Sequence, residues 1–132
     1  MSRHIQFEGA LSLTGSNADD RYLHKPSQTG AVALALLSKL GGAVSAPAIS
    51  DAALAKGIDA AAAALNANKG AGLVVCGSND VNVQVIVNAI NEAVGANGKT
   101  INWAVTSNYR QGIDADMVKL TEEMNAVLLV HY

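Results

Sequence analysis

Cysteine, aromatic residues and charge are all scarce in this chain of 132 residues. The single cysteine, Cys76, excludes an internal disulfide, and it excludes an iron–sulfur cluster held by this chain alone, because such clusters need several thiolates. The net charge is −2, and no cluster of lysine and arginine is present. Nucleic-acid binding needs a basic surface, so we expect no nucleic-acid partner.

Long apolar runs are also missing. A membrane-spanning helix needs roughly 20 consecutive apolar residues. A run such as residues 31–37 is far shorter, and the first residues, MSRH, carry no apolar signal core. The sequence therefore predicts no direct membrane insertion.

Patterns typical of metal sites and dinucleotide sites are missing as well. His4, His24 and His131 lie far apart, and no Cys or His pair has zinc spacing. No G-x-G-x-x-G or G-x-x-x-x-G-K-[ST] spacing follows an apolar run, since the Gly-Lys-Thr at residues 98–100 precedes one. Cys76 ends an apolar run, where a free cysteine is usually a small buried hydrophobe. We predict no catalytic residue and no metal site.

Half of the residues are apolar, and most of these are Ala, Val and Leu. A chain of this length forms one domain and buries roughly two thirds of its unfolded surface. We therefore expect a single domain over residues 1–132. Apolar runs bounded by Gly, Asn and Ser predict strands, and these lie at residues 3–8, 72–76, 100–105 and 127–131.

Helical spacing of apolar residues separates these predicted strands. Ser50 is the predicted cap of the second helix, Asn79 of the third and Asp114 of the fourth. The third helix carries alternating valines, which also suit a strand, but Val83, Val87, Ile90 and Val94 share one helical face. The four predicted helices are residues 29–40, 51–66, 80–94 and 114–124.

Strands that alternate with helices predict βαβ units, whose right-handed crossovers build a parallel sheet. The last three predicted strands are rich in Val, Leu and Ile, as expected when both faces of a sheet are covered. The sequence therefore predicts an α/β fold: a Rossmann-like parallel sheet of at least four strands with helices on both faces.

In such a sheet, ligands bind beyond the carboxyl ends of the strands, where backbone N–H groups at helix starts face outward. Three small polar loops follow the predicted strands there and form a candidate cofactor or anion site. The same residue types are also what a short loop uses to turn and to cap a helix, so both interpretations stay open. The candidate residues are Thr14, Gly15, Ser16, Gly77, Ser78, Asn79, Thr106 and Ser107.

The first part of the chain has a predicted strand, then a loop with Thr14 and the pair Ala18-Asp19, and then Pro26 followed by residues 31–40, which are rich in Ala and Leu. This order resembles that of one domain of the molybdopterin oxidoreductases. The resemblance implies a Rossmann-like third domain, a module of a larger subunit.

A second set of motifs resembles the molybdopterin-oxidoreductase-like subunit of alternative complex III, a quinol:cytochrome c oxidoreductase. In that subunit an Ala-Asp-x-Arg step precedes Pro-Ser, as at residues 18–21 here. A valine-rich strand ending in Gly leads to a helix ending Ala-Ile-Asn and then to Gly-x-x-Gly-Lys. The chain has GLVVCG at residues 72–77, NAIN at 88–91 and GANGKT at 95–100.

The resemblance also carries expectations about cofactors. Family members that bind molybdopterin guanine dinucleotide follow the proline with Gly-Thr-Asp, whose Asp recognises guanine, whereas this chain has Thr29 at that position. A threonine cannot accept two charge-assisted hydrogen bonds from a guanine edge. The family's Asp-Pro-Arg after the first strand is Glu8, Gly9 and Ala10 here. We therefore expect no cofactor and no molybdenum, tungsten or iron.

From the resemblance we expect a non-catalytic scaffold module of a respiratory electron-transfer complex. Its partners would be other domains or subunits of that complex, which the resemblance places in an exported, membrane-associated assembly of a bacterium. The parent family is one of oxidoreductases, but we expect no catalysis from this chain alone. The alternative is a small nucleotide- or phosphate-binding module that uses the helix start from Gly77 to Asp80.

Overall fold

Two short parallel strands open the fold. In the computed structural model, which describes residues 2–106 and 112–129, β1 (Ile5–Glu8) pairs with β2 (Asp20–Leu23). A one-turn helix, α1 (Leu13–Ser16), lies between them in the chain. The rings of Phe7 and Tyr22 stack across the pair with their centroids 5.4 Å apart. This stack places aromatic surface toward the helices that follow.

Four longer helices make up most of the rest. Asp51 and Asp80 begin two of them, since their carboxylates accept hydrogen bonds from the Leu54 and Asn82 amides at 2.9 and 2.8 Å. These caps lie one residue after the predicted Ser50 and Asn79. A 3-10 turn, Pro26–Gln28, precedes the first of the four. The helices are α2 (Thr29–Lys39), α3 (Ala52–Ala67), α4 (Val81–Ala93) and α5 (Asp114–Leu129).

The core lies where α2 packs between α3 and α4, with β2 against α3. Leu36, Ile58 and Ile90 are buried there, together with Val94 just after α4. Gly57 lets β2 approach α3, because a Cβ at that position would lie 2.5 Å from Cγ of Tyr22. The small residues of α3 therefore allow the sheet and the helices to pack closely.

The predicted four-stranded Rossmann-like sheet is wrong, because the described sheet has two strands. Residues 72–76 form no strand, and residues 100–105 contribute a single isolated bridge, from Asn97 to Ile101. Residues 127–129 belong to α5, and the remainder of the predicted strand at residues 127–131 lies outside the described residues. The predicted first strand is confirmed as β1, whereas β2 was not predicted.

Each correction has a local physical reason. The sequence of β2 is DRYL, which has too few apolar residues to be read as a strand, yet its backbone pairs with β1. The backbone at residues 72–78 is hydrogen-bonded by side chains rather than by a neighbouring strand. Residues 127–129 continue a helix that has already begun at Asp114, and extending a helix costs less than starting a new element.

The four predicted helices are confirmed, with ends shifted by a few residues. The valine-rich third helix is α4, so the helical spacing of its apolar residues decided its conformation against their β-branching. α5 runs to Leu129 rather than ending near Asn125. Within the described residues, no helix combines the length and the apolar character needed to cross a membrane.

Candidate functional site

A partly buried ion pair joins β1 to β2. Glu8, only 8% exposed, accepts a hydrogen bond from Oγ of Ser12 at 2.5 Å and forms an ion pair with Nε of Arg21. Gly15 packs directly on this carboxylate, where a side chain would collide with it. The Ser12 hydroxyl and the Arg21 guanidinium hold the pKa of Glu8 below its ordinary value. A carboxylate that is paired in this way holds the two strands together and is not poised for proton transfer.

The first predicted loop of the candidate site is α1. The Gly15 amide donates to Oγ of Ser12 at 2.9 Å, and the Ser16 amide donates to the Ser12 carbonyl at 2.9 Å. Thr14 is exposed within the same turn. Because these two amides are already hydrogen-bonded within the chain, they are not available to an anion.

The second predicted loop leads into α4. There the Asp80 carboxylate accepts from the Asn82 amide, and the Asp80 amide donates to Oγ of Ser78 at 3.1 Å. Gly77 and Asn79 are exposed. The N-terminus of α4 therefore holds a negative charge of its own chain, which opposes a phosphate.

The third predicted loop retains only Thr106, which is exposed, because Ser107 lies outside the described residues. Among the described residues, no hydrogen bond links Thr106 to Gly77 or to α1. Nor does any group of three His, Cys, Asp or Glu side chains in those ranges take the arrangement of a metal site. Among the described residues, the hydrogen bonds of α1 and of residues 77–79 are local in sequence to each of these loops.

A different feature emerges at residues 72–79, which we call the clamped segment. It runs extended alongside α4, and the side-chain amide of Asn91 bonds both backbone groups of Val74. Nδ2 donates to the Val74 carbonyl at 2.8 Å, and Oδ1 accepts from the Val74 amide at 2.9 Å. Asn91 is buried, and it bonds Val74 as a neighbouring strand would.

Other even-numbered residues of the clamped segment are held on the same edge. Nε2 of Gln84 donates to the carbonyls of Cys76 and Ser78, at 2.9 and 2.6 Å. Oγ1 of Thr100 donates to the Gly72 carbonyl at 2.9 Å. Backbone groups of an extended chain alternate in direction, so this edge is occupied by side chains from α4 and from Thr100.

The odd-numbered residues of the clamped segment form an open edge. No described residue hydrogen-bonds to the backbone of Leu73 or Val75. Their side chains are 50% and 80% exposed. Burial alternates along the whole segment, so both side chains lie on one outer face. The clamped segment is thus an extended stretch whose inner edge is held by side chains and whose outer edge has no partner among the described residues.

A second exposed apolar surface lies on α5 and just before it. Ile113, Met117, Leu120 and Met124 follow the spacing i, i+4, i+7 and i+11, which places them on one face of a helix. Each is between 48% and 63% exposed. We call this set the α5 stripe. Apolar residues in such a row are normally buried, so the α5 stripe has the form of a docking surface.

A shallow hollow of about 200 Å³ lies between α2, α3 and residues 46–49. At its rim Nζ of Lys39 pairs with Oδ1 of Asp59 at 2.8 Å, and both side chains are more than half exposed. Its other lining groups are mainly small and aliphatic. The hollow offers no convergent polar groups that would orient a ligand.

Comparison of the chain with protein-family models, curated proteins and solved structures gives no match in any of the three. The geometry of the described residues therefore carries the interpretation of the docking surface. The spacing of Met117, Leu120 and Met124 is that of an amphipathic helix, so the sequence indicates an apolar face there but not its exposure. Sequence patterns were not sufficient to find the clamped segment, because neither Asn91 nor Gln84 stands out as a partner of a backbone many residues away.

Proposed function

We propose that this chain is a non-catalytic scaffold module of a respiratory electron-transfer complex, and that it docks onto neighbouring domains through the α5 stripe. The observation that carries the proposal is the exposure of four large apolar side chains in one helical row. An amphipathic helix that lays its apolar face into a groove is a common mode of recognition. The choice of an electron-transfer complex rests on the resemblance to the molybdopterin-oxidoreductase-like subunit.

The charges around the α5 stripe indicate what its partner surface carries. Asp114, Asp116, Glu122 and Glu123 are accompanied by one cation in the helix, Lys119, whose Nζ lies 3.7 Å from Oε1 of Glu123. Complementary potentials favour docking and suppress wrong partners. The expected partner is an apolar groove with a basic rim.

The nucleotide-binding alternative is weakened by the start of α4. Asp80 already bonds the Asn82 amide, and a carboxylate in the first turn repels phosphate. The scaffold proposal also predicts that freshly purified protein contains no molybdenum, tungsten or iron. Elemental analysis checks this prediction, and metal at about one equivalent per chain would contradict it.

Reconstitution tests the docking proposal. The chain is co-expressed with the polypeptides encoded beside it in its genome, and the mass of the purified product is measured by light scattering. We expect a one-to-one complex. The double variant Met117→Lys/Leu120→Lys should abolish it, because lysines would replace two adjacent members of the α5 stripe.

Leu13→Lys is the matched control, since Leu13 is an exposed leucine on α1 and is not a member of the α5 stripe. That variant should bind as the parent chain does. Binding that survives the double variant would contradict docking through α5. Failure to bind any of those polypeptides would contradict the scaffold role itself.

A further inference from the structure

The clamped segment has the features of a strand that lacks its neighbour. Its even-numbered carbonyls and the Val74 amide are bonded by Asn91, Gln84 and Thr100, while the backbone of Leu73 and Val75 has no described partner. Soluble proteins usually protect such an edge with lysine, proline or a covering element. Residues 70–79 contain no charged residue and no proline. An edge of this kind is a template for another strand.

The vacant edge of one copy can pair with the vacant edge of a second copy. In an antiparallel pair, two opposed residues exchange both N–H···O bonds, and such pairs recur at every second residue. If Leu73 faces Val75 of a second copy, then Val75 faces Leu73 of that copy, and the twofold axis passes between the two Val74 residues. Every vacant backbone group of Leu73 and Val75 would then be bonded. We propose that two copies of this chain associate by antiparallel pairing of their clamped segments.

The charges at the two ends of the clamped segment favour a second copy of this chain as the partner. They also favour antiparallel over parallel pairing. Lys69 precedes the segment and Lys99 covers Gly70, where Nζ would lie 2.7 Å from an added Cβ. Asp80 follows the segment. Antiparallel pairing brings Asp80 of one copy toward Lys69 and Lys99 of the other. Parallel pairing would bring lysines together and aspartates together, which is unfavourable.

The exposed side chains of the open edge support the register in which Leu73 faces Val75 of the second copy. Leu73 and Val75 lie on the same outer face, so pairing places Leu73 of each copy against Val75 of the other. The two valines then lie diagonally across the axis, within reach of long side chains. Pairing would cover the exposed apolar surface of both residues and uses no member of the α5 stripe. The proposal is therefore independent of the docking proposed for α5.

Molecular mass in solution tests the pairing. Sedimentation equilibrium of the purified chain, in a series reaching about 1 mM, should show reversible formation of a species of twice 13.5 kDa. Val75→Lys should weaken association at least tenfold, because each lysine replaces an apolar contact and lies near its counterpart. A chain that remains monomeric over the whole series would overturn the proposal.

Val105→Lys is the matched control, because Val105 is 75% exposed and also lies on a non-helical segment. That variant should dimerise like the parent chain. Equal weakening by both variants would overturn the assignment to the clamped segment. Circular dichroism should show parental helix content in both, since neither side chain contributes to the core.

A charge-pair variant tests the register. In Leu73→Asp/Val75→Lys, the antiparallel register places each lysine directly opposite an aspartate of the second copy, so dimerisation should recover relative to Val75→Lys alone. Parallel in-register pairing would place lysine opposite lysine. Absence of recovery in a folded double variant would overturn the antiparallel register.

Discussion

α4 and the α5 stripe carry apolar residues at the same spacing, with opposite outcomes. Val83, Val87, Ile90 and Val94 repeat at i, i+4, i+7 and i+11, and all of them are buried. The members of the α5 stripe repeat in the same way, and all of them are exposed. The spacing does not cause this difference in burial. It arises because α4 packs against α2, whereas the described residues provide no comparable neighbour for α5. A helical stripe therefore indicates that a face needs a partner and does not say which surface provides it.

The largest expected effect comes from truncating one apolar side chain of α4, and it is compared with the same truncation in the α5 stripe. Ile90 is 0% exposed, so Ile90→Ala should lower the free energy of unfolding by about 2–5 kcal/mol. Leu120→Ala should change it by less than about 0.5 kcal/mol, because its side chain is exposed in the isolated chain. Urea denaturation monitored by circular dichroism measures both. A loss of similar size at Leu120 would show that α5 is packed in solution.

The clamp on Val74 gives the next largest expected effect. Asn91→Ala should cost about 1–3 kcal/mol of stability, since it leaves two backbone groups of a partly buried residue unbonded. It should also accelerate hydrogen exchange at the Val74 amide. Asn88→Ala is the control, because Asn88 is exposed on the same helix. Unchanged exchange at Val74 would contradict the clamp.

The stability that Glu8 contributes to the packed region depends on pH. The folded-state pKa of Glu8 lies below its ordinary value of 4.5, so its ionised form stabilises the fold above that pH. The contribution is lost as the pH falls below 4.5 through the lowered pKa. Glu8→Gln should therefore destabilise the protein at pH 7, and the difference from the parent chain should shrink at acidic pH.

Glu123→Gln is the counterpart on α5, where Glu123 pairs with exposed Lys119. Exposed pairs at this spacing contribute about 0.3–0.5 kcal/mol, so a change of that size or less is expected at pH 7. Thermal melts from pH 3 to pH 7 measure both variants. A constant difference between Glu8→Gln and the parent chain over that range would contradict the lowered pKa.

The smallest effect is expected at the start of α4. Asn caps a helix about as well as Asp, so Asp80→Asn should change stability by less than about 0.5 kcal/mol. GTP, NAD and FMN should bind the parent chain with dissociation constants of about 1 mM or weaker. Calorimetric titration measures this. A micromolar constant that disappears in Gly77→Val would favour nucleotide binding over the scaffold role.

Helices were predicted well because their signal is local. Apolar spacing in α4 outweighed the β-preference of its valines, and the aspartate caps lie within one residue of the predicted positions. The sheet was predicted poorly because pairing is not local. The apolar run at residues 72–76 is extended in the fold, but Asn91 and Gln84 occupy the edge where a neighbouring strand was expected.

The candidate site shows the same contrast between local and long-range interactions. Anion binding at residues 14–16 and 77–79 stays a prediction, with turn and cap formation as the open alternative. The hydrogen bonds that Gly15, Ser16 and Ser78 make within the chain serve turns and caps. That outcome follows from the intrinsic tendency of Ser, Asn and Asp to bond nearby backbone groups. The exposed α5 stripe could be read from spacing, but its exposure could not.

The sequence by itself determined the helices, their starts to within one residue and their apolar faces, because each depends on neighbours within a few residues. The scarcity of charge and cysteine is likewise a property of the sequence. Only the tertiary structure decided which faces became core, which extended segment acquired a neighbour and which edge stayed vacant. Those outcomes depend on contacts such as Gly57 against Tyr22 and Asn91 against Val74, between residues far apart in the chain. Such contacts form when their geometry fits in space, and no local pattern of residues specifies that fit.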